Sequence, residues 1–226
     1  MEDIQLKSEG KCFYCEEMLT QENIREHLQN HLLQMTKEGN KKNLVNYCHI
    51  GVEAGEMFLH LLVRGSLTMK RIDQFLRDIW LECCDHLSGF GHKNFKIKMK
   101  DRVEDVFQDR IKIFHDYDYG TTTRVLLRAH KHYSLPQSDD IILLSRNEPL
   151  KLMCSICHKK PAVNICTVCW YNDYAYFCES CSKAHAETCS DFYDYANMPL
   201  VNSPRTGECG YTGGIIDVER DRPANL

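Results

Sequence analysis

The sequence lacks any long apolar run, and without about 18 consecutive hydrophobic residues we expect no membrane-spanning helix. Its opening residues, MEDIQLKSEG, have no apolar core, which predicts no secretory signal and a cytoplasmic location. A phosphate-binding loop, a Gly-x-Ser-x-Gly elbow and a His-Glu-x-x-His motif are also missing. The formal net charge of -4 gives no general attraction to nucleic acid or to anionic membranes. These absences favour a protein that is not an enzyme.

Cysteine, in contrast, is abundant, with 13 residues in a chain of 226. Nine of the 13 fall in two clusters, where they occur in pairs at metal-ligand spacing and are mixed with histidine. In a chain without a predicted signal peptide, this pattern indicates metal ligands in a reducing cytosol rather than disulfides. The other four are interpreted as small buried hydrophobic residues: Cys48, Cys83, Cys84 and Cys209.

The first cluster has the spacing of a two-Cys/two-His zinc finger: Cys12, Cys15, His27 and His31. Two thiolates on a knuckle would meet two imidazoles one turn apart on a helix, which closes one tetrahedral zinc site. The segment resembles the zinc-finger family, in which the base-reading positions would correspond to Thr20, Asn23 and Glu26. Because this finger is acidic and phosphate contacts need Lys or Arg, a protein contact or a structural cap is the favoured interpretation.

The second cluster has eight ligands, enough for two closed zinc sites: Cys154, Cys157, Cys166, Cys169, Cys178, Cys181, His185 and Cys189. The spacing permits a sequential wiring, with neighbouring pairs sharing an ion, or an interleaved one. The interleaved wiring resembles the RING, B-box and MYND cross-brace families, whose members mostly bind proteins. That resemblance favours Cys154, Cys157, Cys178 and Cys181 for one ion, and Cys166, Cys169, His185 and Cys189 for the other. Together with the finger, the sequence predicts three structural zinc ions.

Periodicity predicts an α+β protein. Residues 41–64 and 69–87 carry apolar residues at helical spacing, which predicts a helical hairpin. Alternating or β-rich segments follow at 94–100, 111–120 and beyond, with short closing strands at Leu200-Val201 and Ile215-Ile216. The predicted domains are a finger (1–39), a helical hairpin (40–92) and a small antiparallel β domain (93–226) with the zinc module (151–190) inserted.

Part of the predicted β domain carries a family signature. The segment Tyr117-Asp118-Tyr119-Gly120 resembles the strand-turn-strand signature of the Ri-plasmid open-reading-frame-three family, and Cys209-Gly210-Tyr211 resembles that family's C-terminal region. The segments IILLSRNEP and PLVNSPR resemble a subset of the family that has a Cys-rich insert. The family's next Asp is replaced by Thr121, and its Trp and His are absent. The resemblance implies a compact α+β fold and a prokaryotic origin near plasmids and insertion elements, and it implies no general catalytic activity.

Basic residues suggest a second type of partner. Lys96, Lys98 and Lys100 alternate on a predicted strand, and Arg124, Arg128 and Lys131 lie on its predicted neighbour. Aligned, the two strands would form a basic stripe able to contact a nucleic-acid backbone. Such charges are more often a solvated face.

The sequence therefore predicts a zinc-binding adaptor or regulatory protein that acts through protein contacts. The family resemblance alone links it to a prokaryotic mobile element or a CRISPR-type defence system. The alternative is a nucleic-acid-binding accessory protein that uses the basic stripe. No small-molecule substrate is evident, and a nucleophile pair of Cys83-Cys84 with His86 is disfavoured because the helical pattern places Cys83 in the core.

Overall fold

The computed structural model describes residues 8–38, 42–93, 95–108, 110–172 and 175–222. Contacts divide the chain into two units: unit 1 comprises 1–76 and 87–148, and unit 2 comprises 77–86 and 149–226. Because helices and antiparallel sheets both occur, the predicted α+β class is confirmed. Within these described residues, no helix is long and apolar enough to cross a membrane.

Unit 1 is built on a six-stranded antiparallel sheet with the strand order β5-β6-β7-β3-β4-β8. Its elements are β1 (Glu9–Lys11), β2 (Met18–Thr20), α1 (Gln21–Glu38), β3 (Val45–Ala54), β4 (Met57–Arg64), α2 (Met69–Leu76), β5 (Ser88–Gly91), α3 (Val103–Val106), β6 (Lys112–Tyr117), β7 (Thr123–Leu135) and β8 (Ile141–Arg146). The turn at Asp118-Tyr119-Gly120 joins β6 to β7 as an antiparallel hairpin, as the sequence predicts.

The prediction of a helix over 41–64 is wrong, because this segment forms the β3–β4 hairpin in the centre of the sheet. Central strands are covered on both faces, so their apolar residues run without alternation, and periodicity alone does not separate such a strand from a buried helix. Gly55 is the residue that distinguishes a hairpin from a helix in this segment. Its φ of +59° suits a two-residue hairpin turn, and Ala54 pairs with Met57 across it.

Two further predictions need correction. Helix α2 begins as predicted, but after a π-helical turn (Arg77–Leu81) the chain leaves the helix, so the hairpin's second helix does not extend over 82–87. The described part of 94–100 is not a strand; it makes one bridge, Lys96 to Gly91, and residues 99 and 101 accept hydrogen bonds from the start of α2. Residue 94 lies outside the described residues.

The finger is part of the core of unit 1. Strands β1 and β2 pair, and α1 follows directly after Thr20. The inward face of α1 buries Ile24, Leu28 and Leu32 completely against side chains of β3, β4, β7 and β8. These three residues therefore serve a larger core than a free-standing finger would have. Residues 39–41, directly after α1, lie outside the described residues.

A substitution at Gly10 would test this attachment of the β1–β2 hairpin to the rest of unit 1. It bridges Asn147, and a Cβ at Gly10 would lie 2.5 Å from the Arg146 carbonyl oxygen, which is backbone and has little freedom to move. We expect Gly10→Ala to lower the free energy of unfolding by about 1–3 kcal/mol through overpacking. Gly91→Ala is the matched control, because a Cβ there meets nothing within 4 Å. Urea denaturation would measure both, and equal stabilities would contradict the attachment.

In its described residues, unit 2 has a small three-stranded sheet with the order β10-β9-β11 and one α-helix. Its elements are β9 (Asn164–Cys166), β10 (Tyr176–Phe177), α4 (Glu179–Ala186) and β11 (Asn197–Pro199), with helical turns at Cys169–Asn172, Phe192–Ala196 and Val218–Arg220. The predicted closing strands at Leu200-Val201 and Ile215-Ile216 are wrong, since neither pair is in a strand. Positive φ angles at Gly207, Cys209 and Gly210 instead turn the chain repeatedly.

Candidate metal centres

The finger ligands come together at one end of α1. His27 and His31 lie one helical turn apart, with their Nε2 atoms separated by 3.1 Å, and His27 Nε2 is 3.2 Å from Cys15 Sγ. The Tyr14 backbone N–H donates to Cys12 Sγ, as expected of a metal-binding knuckle. Glu17 lies 3.6 Å from the other ring nitrogen of His27 and can orient the imidazole. All four ligand atoms lie within 4.8 Å of one another, so this group could hold a metal ion.

The eight ligands of unit 2 form two groups in the interleaved order. Cys154, Cys157, Cys178 and Cys181 form one, and Cys166, Cys169, His185 and Cys189 form the other. Thiols distant in sequence approach closely, with Cys157 and Cys178 Sγ 3.9 Å apart and Cys166 and Cys189 Sγ 4.0 Å apart. The grouping is the one that the cross-brace resemblance favours.

Secondary structure explains this grouping. Cys178 caps the N-terminus of α4, Cys181 lies in its first turn and His185 in its second. One helix thus supplies two ligands to the first group and one to the second. Antiparallel pairing of β9 with β10 brings Cys166 alongside the same helix.

Hydrogen bonds favour the thiolate form of two of these cysteines. Burial raises the pKa of Cys178, but hydrogen bonds from the Ser180 hydroxyl and the Cys181 backbone N–H outweigh it and lower that pKa to about 6. Backbone N–H groups of Lys159 and Lys160 lower the pKa of Cys157. Both cysteines belong to the first group, and because the thiolate is the form that binds metals, these two ligands are prepared for an ion.

Aromatic side chains divide between packing and exposure. Phe177 is buried and stacks on the His185 ring at 4.3 Å, while Phe192 meets that ring edge-on at 5.0 Å. They hold the imidazole in place. Trp170 remains 43% exposed. Among the other aromatic residues of this stretch, Tyr174 and the Tyr171 side chain lie outside the described residues.

A further four-ligand group was missed by the sequence reasoning: Cys83, Cys84, His86 and Cys209. Cys84 Sγ lies 3.0 Å from His86 Nε2 and 3.2 Å from Cys209 Sγ, and His86 Nε2 lies 3.3 Å from Cys209 Sγ. The interpretation of these cysteines as buried hydrophobic residues is wrong, because Cys84 and Cys209 are exposed and Cys83 is partly so. The Cys-Cys-x-His run was the available signal, but its partner is more than 120 residues away.

The same geometry bears on the nucleophile pair considered from sequence. His86 meets Cys84 directly, and hydrogen bonding to Cys209 and then to Cys83 raises the pKa of Cys84 to about 12. A raised pKa is the opposite of what an activated thiol nucleophile needs. Arg205 donates to Cys83 Sγ at 3.6 Å.

The fifth group consists of three histidines in the central strands of unit 1: His49, His60 and His130. His49 Nε2 lies 3.0 Å from His60 Nδ1, and the ring of His130 lies 4.9 Å and 5.6 Å from the rings of His49 and His60. Burial lowers the pKa of His60 to about 3 and of His130 to about 4, and it places the pKa of His49 well below its usual value; positive charge on Arg25 adds to each effect. All three rings are therefore neutral at physiological pH.

The predicted basic stripe does not form. Lys96, Lys98 and Lys100 are not in a strand beside β7, because β6 and β3 occupy the two edges of that strand. Arg124 is paired with Asp116 at 2.6 Å, and Arg128 with Glu53 at 3.6 Å. Lys131 lies over the Tyr133 ring. These pairings reduce the positive charge that would attract a phosphate backbone.

Comparison with known proteins adds little. No protein-family model and no curated protein matches this chain. Among solved structures, the protein of unknown function MM3350 from Methanosarcina mazei Go1 is similar over 46% of this chain and 68% of its own, with 12% identity and a TM-score of 0.37. A likeness this weak carries no argument about function, so the function is argued from the sites.

Proposed function

We propose that this chain is a zinc-binding adaptor or regulatory protein, in which zinc ions hold the fold and protein contacts carry the function. The ligand chemistry supports zinc. A tetrahedral zinc ion, with bonds of about 2.3 Å to sulfur and about 2.0 Å to nitrogen, sets its ligand atoms about 3.3–3.8 Å apart. Ligand atoms within each of the four cysteine-containing groups lie within 4.8 Å of one another, and the nearest pairs, at 3.0 to 4.0 Å, lie close to these values.

The observation that carries the proposal is that each of these groups offers four protein ligands. A catalytic zinc keeps a coordination position for water, whereas a structural zinc is closed by four side chains. Four closed sites stabilise a chain and present a surface, and they offer no place for a substrate at the ion. We therefore propose four structural zinc ions, one more than the sequence predicts.

An exposed aromatic patch next to one of these sites supports the protein-contact part. Tyr193 and Tyr195 are 69% and 66% exposed, and both lie in the helical turn that starts three residues after Cys189. Phe192, in the same turn, is buried against His185. The metal site thus fixes the turn that displays the two tyrosines, and exposed aromatic anchors of this kind are common at protein interfaces.

The setting in a mobile element or defence system rests on the family resemblance alone. The nucleic-acid alternative loses support, because Arg124 and Arg128 are paired with acids. One experiment tests both the proposed setting and the nucleic-acid alternative.

That experiment is affinity capture from a prokaryotic lysate with the zinc-loaded protein, in parallel with Tyr193→Ala/Tyr195→Ala. We expect wild type to retain a stoichiometric protein after nuclease and high salt, and the double variant to retain at most a tenth as much. Tyr119→Ala is the control, since Tyr119 is also an exposed tyrosine (60%) but lies in unit 1. Recovery of mainly nucleic acid that salt releases would instead support the nucleic-acid alternative. Equal capture by wild type and by the double variant would show that the two tyrosines do not bind the partner.

A further inference from the structure

The three histidines of unit 1 converge because of the register of the sheet. His49 and Gly51 lie two residues apart on β3 and therefore point to the same face, and His60 on β4 pairs directly with Gly51. On the other side, β7 contributes His130. Each of the three adjacent strands β4, β3 and β7 thus contributes one imidazole to the cluster.

Two local features make room for His130. The β3–β7 register shifts between His49, which pairs with Lys131, and Ile50, which pairs with Ala129, so His130 is the extra residue of a β-bulge. Bulges re-aim side chains and are frequent beside functional sites. Gly51 supplies the space, because a Cβ at that position would lie 2.5 Å from His130 Nε2. The register between β4 and β8 also shifts, between His60 and Leu61.

The nitrogen atoms are incompletely satisfied by the protein. His49 and His60 share one hydrogen bond, through His49 Nε2 and His60 Nδ1, while His130 Nε2 is buried without a hydrogen-bond partner. His49 is completely buried. Buried polar atoms normally have partners, so three imidazoles grouped in this way are poorly explained as mere packing.

A cavity of about 330 Å³ adjoins the cluster, and His60 and His130 line it. Its wall also carries Arg25 of α1 and Arg128 of β7, together with Glu22 and Glu53. Arg128 and Glu53 pair with each other.

We propose that His49, His60 and His130 bind one divalent transition-metal ion, distinct from the thiolate-bound zinc ions, with a coordination position open to water or a small anion from this cavity. Three imidazoles and one exchangeable ligand are the arrangement of reactive zinc sites rather than of structural ones. The site is independent of the proposed adaptor function, since it shares no ligand with the four cysteine-containing groups.

Cobalt(II) titration of the full-length protein tests this inference. The thiolate groups are first filled with zinc, which they hold more tightly than cobalt, and weakly held metal is removed by dialysis. We expect one added equivalent of cobalt to bind with visible d–d absorption and without a thiolate charge-transfer band. Azide, a small anion, should then change the spectrum because it enters the open position. Protein that holds only four zinc ions after dialysis and takes up no cobalt, or takes it up with thiolate charge transfer, would overturn the site. A spectrum unmoved by azide would overturn the open position.

Two variants disrupt the proposed histidine site in different ways. His130→Gln removes a ligand, and Gly51→Ala keeps all three ligands but displaces the His130 ring. We expect each to weaken cobalt binding at least tenfold while retaining zinc in the thiolate sites, which shows that the chain is folded. His132→Gln, on the same strand, is the control: His132 contacts the Phe107 carbonyl and belongs to no group. Cobalt binding that neither variant weakens would rule out the three histidines.

Discussion

Replacing Cys166 with serine is expected to release one zinc ion and unfold the zinc module of residues 151–190. Cys166 is fully buried beside Phe177, Phe192 and Ala196, and this small cluster has little other apolar surface to hold it together. Zinc binding in comparable small modules contributes on the order of 10 kcal/mol, which is comparable to the typical stability of a whole domain. Limited proteolysis, with zinc measured by mass spectrometry, would detect the change.

The matched control is Cys48→Ala. Cys48 is equally buried, in β3, but belongs to no ligand group. We expect this variant to keep its full zinc content and to lose only about 1 kcal/mol, as for an ordinary small core truncation. A Cys166→Ser protein that lost one zinc but stayed protease-resistant would show that the ion does not hold the module.

Replacing Cys209 with serine is expected to remove the zinc ion of the group that the sequence reasoning missed. Cys209 is exposed, so the substitution deletes almost no packing, and any loss of stability comes from the ion. We expect one equivalent of zinc fewer and a thermal midpoint lower by several degrees, since 1 kcal/mol corresponds to about 2–4 °C in a chain of this size.

Alkylation gives a second readout for Cys209→Ser. Released from zinc, the exposed thiol of Cys84 should react with iodoacetamide at least tenfold faster, as peptide mass spectrometry would show. Glu208→Ser, which places the same side chain one residue earlier in the same turn, should leave both zinc content and alkylation unchanged. Unaltered zinc in Cys209→Ser would contradict a metal site there.

The finger and the cross-brace could be read from the sequence because their ligands lie within short segments. Spacings of two, three or eight residues put Cys and His on one knuckle or one helical turn, and local geometry then brings the ligand atoms together. His185 and Cys189 show this on α4 and the turn after it. The Cys83, Cys84, His86 and Cys209 group could not be found this way, because nothing local relates residue 209 to residue 84.

The β3–β4 hairpin shows the corresponding limit for the fold. Whether VNYCHIGVEA is a helix or a strand depends on what covers its two faces, and the covering residues come from α1 and from strands far along the chain. Hydrophobic periodicity identifies a strand or helix that buries one face, but it does not separate the two when both faces are buried. The histidine cluster depended on the same information, since His49, His60 and His130 become neighbours only through the strand register and a bulge.

By itself, the sequence determined the α+β class, the finger, the interleaved ligand grouping through its cross-brace resemblance, and the β6–β7 hairpin with its turn. Each depends on interactions between residues close in the chain or on a spacing pattern that survives without the rest of the fold. The tertiary structure decided the central hairpin, the pairing of Arg128 with Glu53, and the two added ligand groups. Those features depend on contacts between distant residues, whose geometry is set by packing and strand register rather than by local preference.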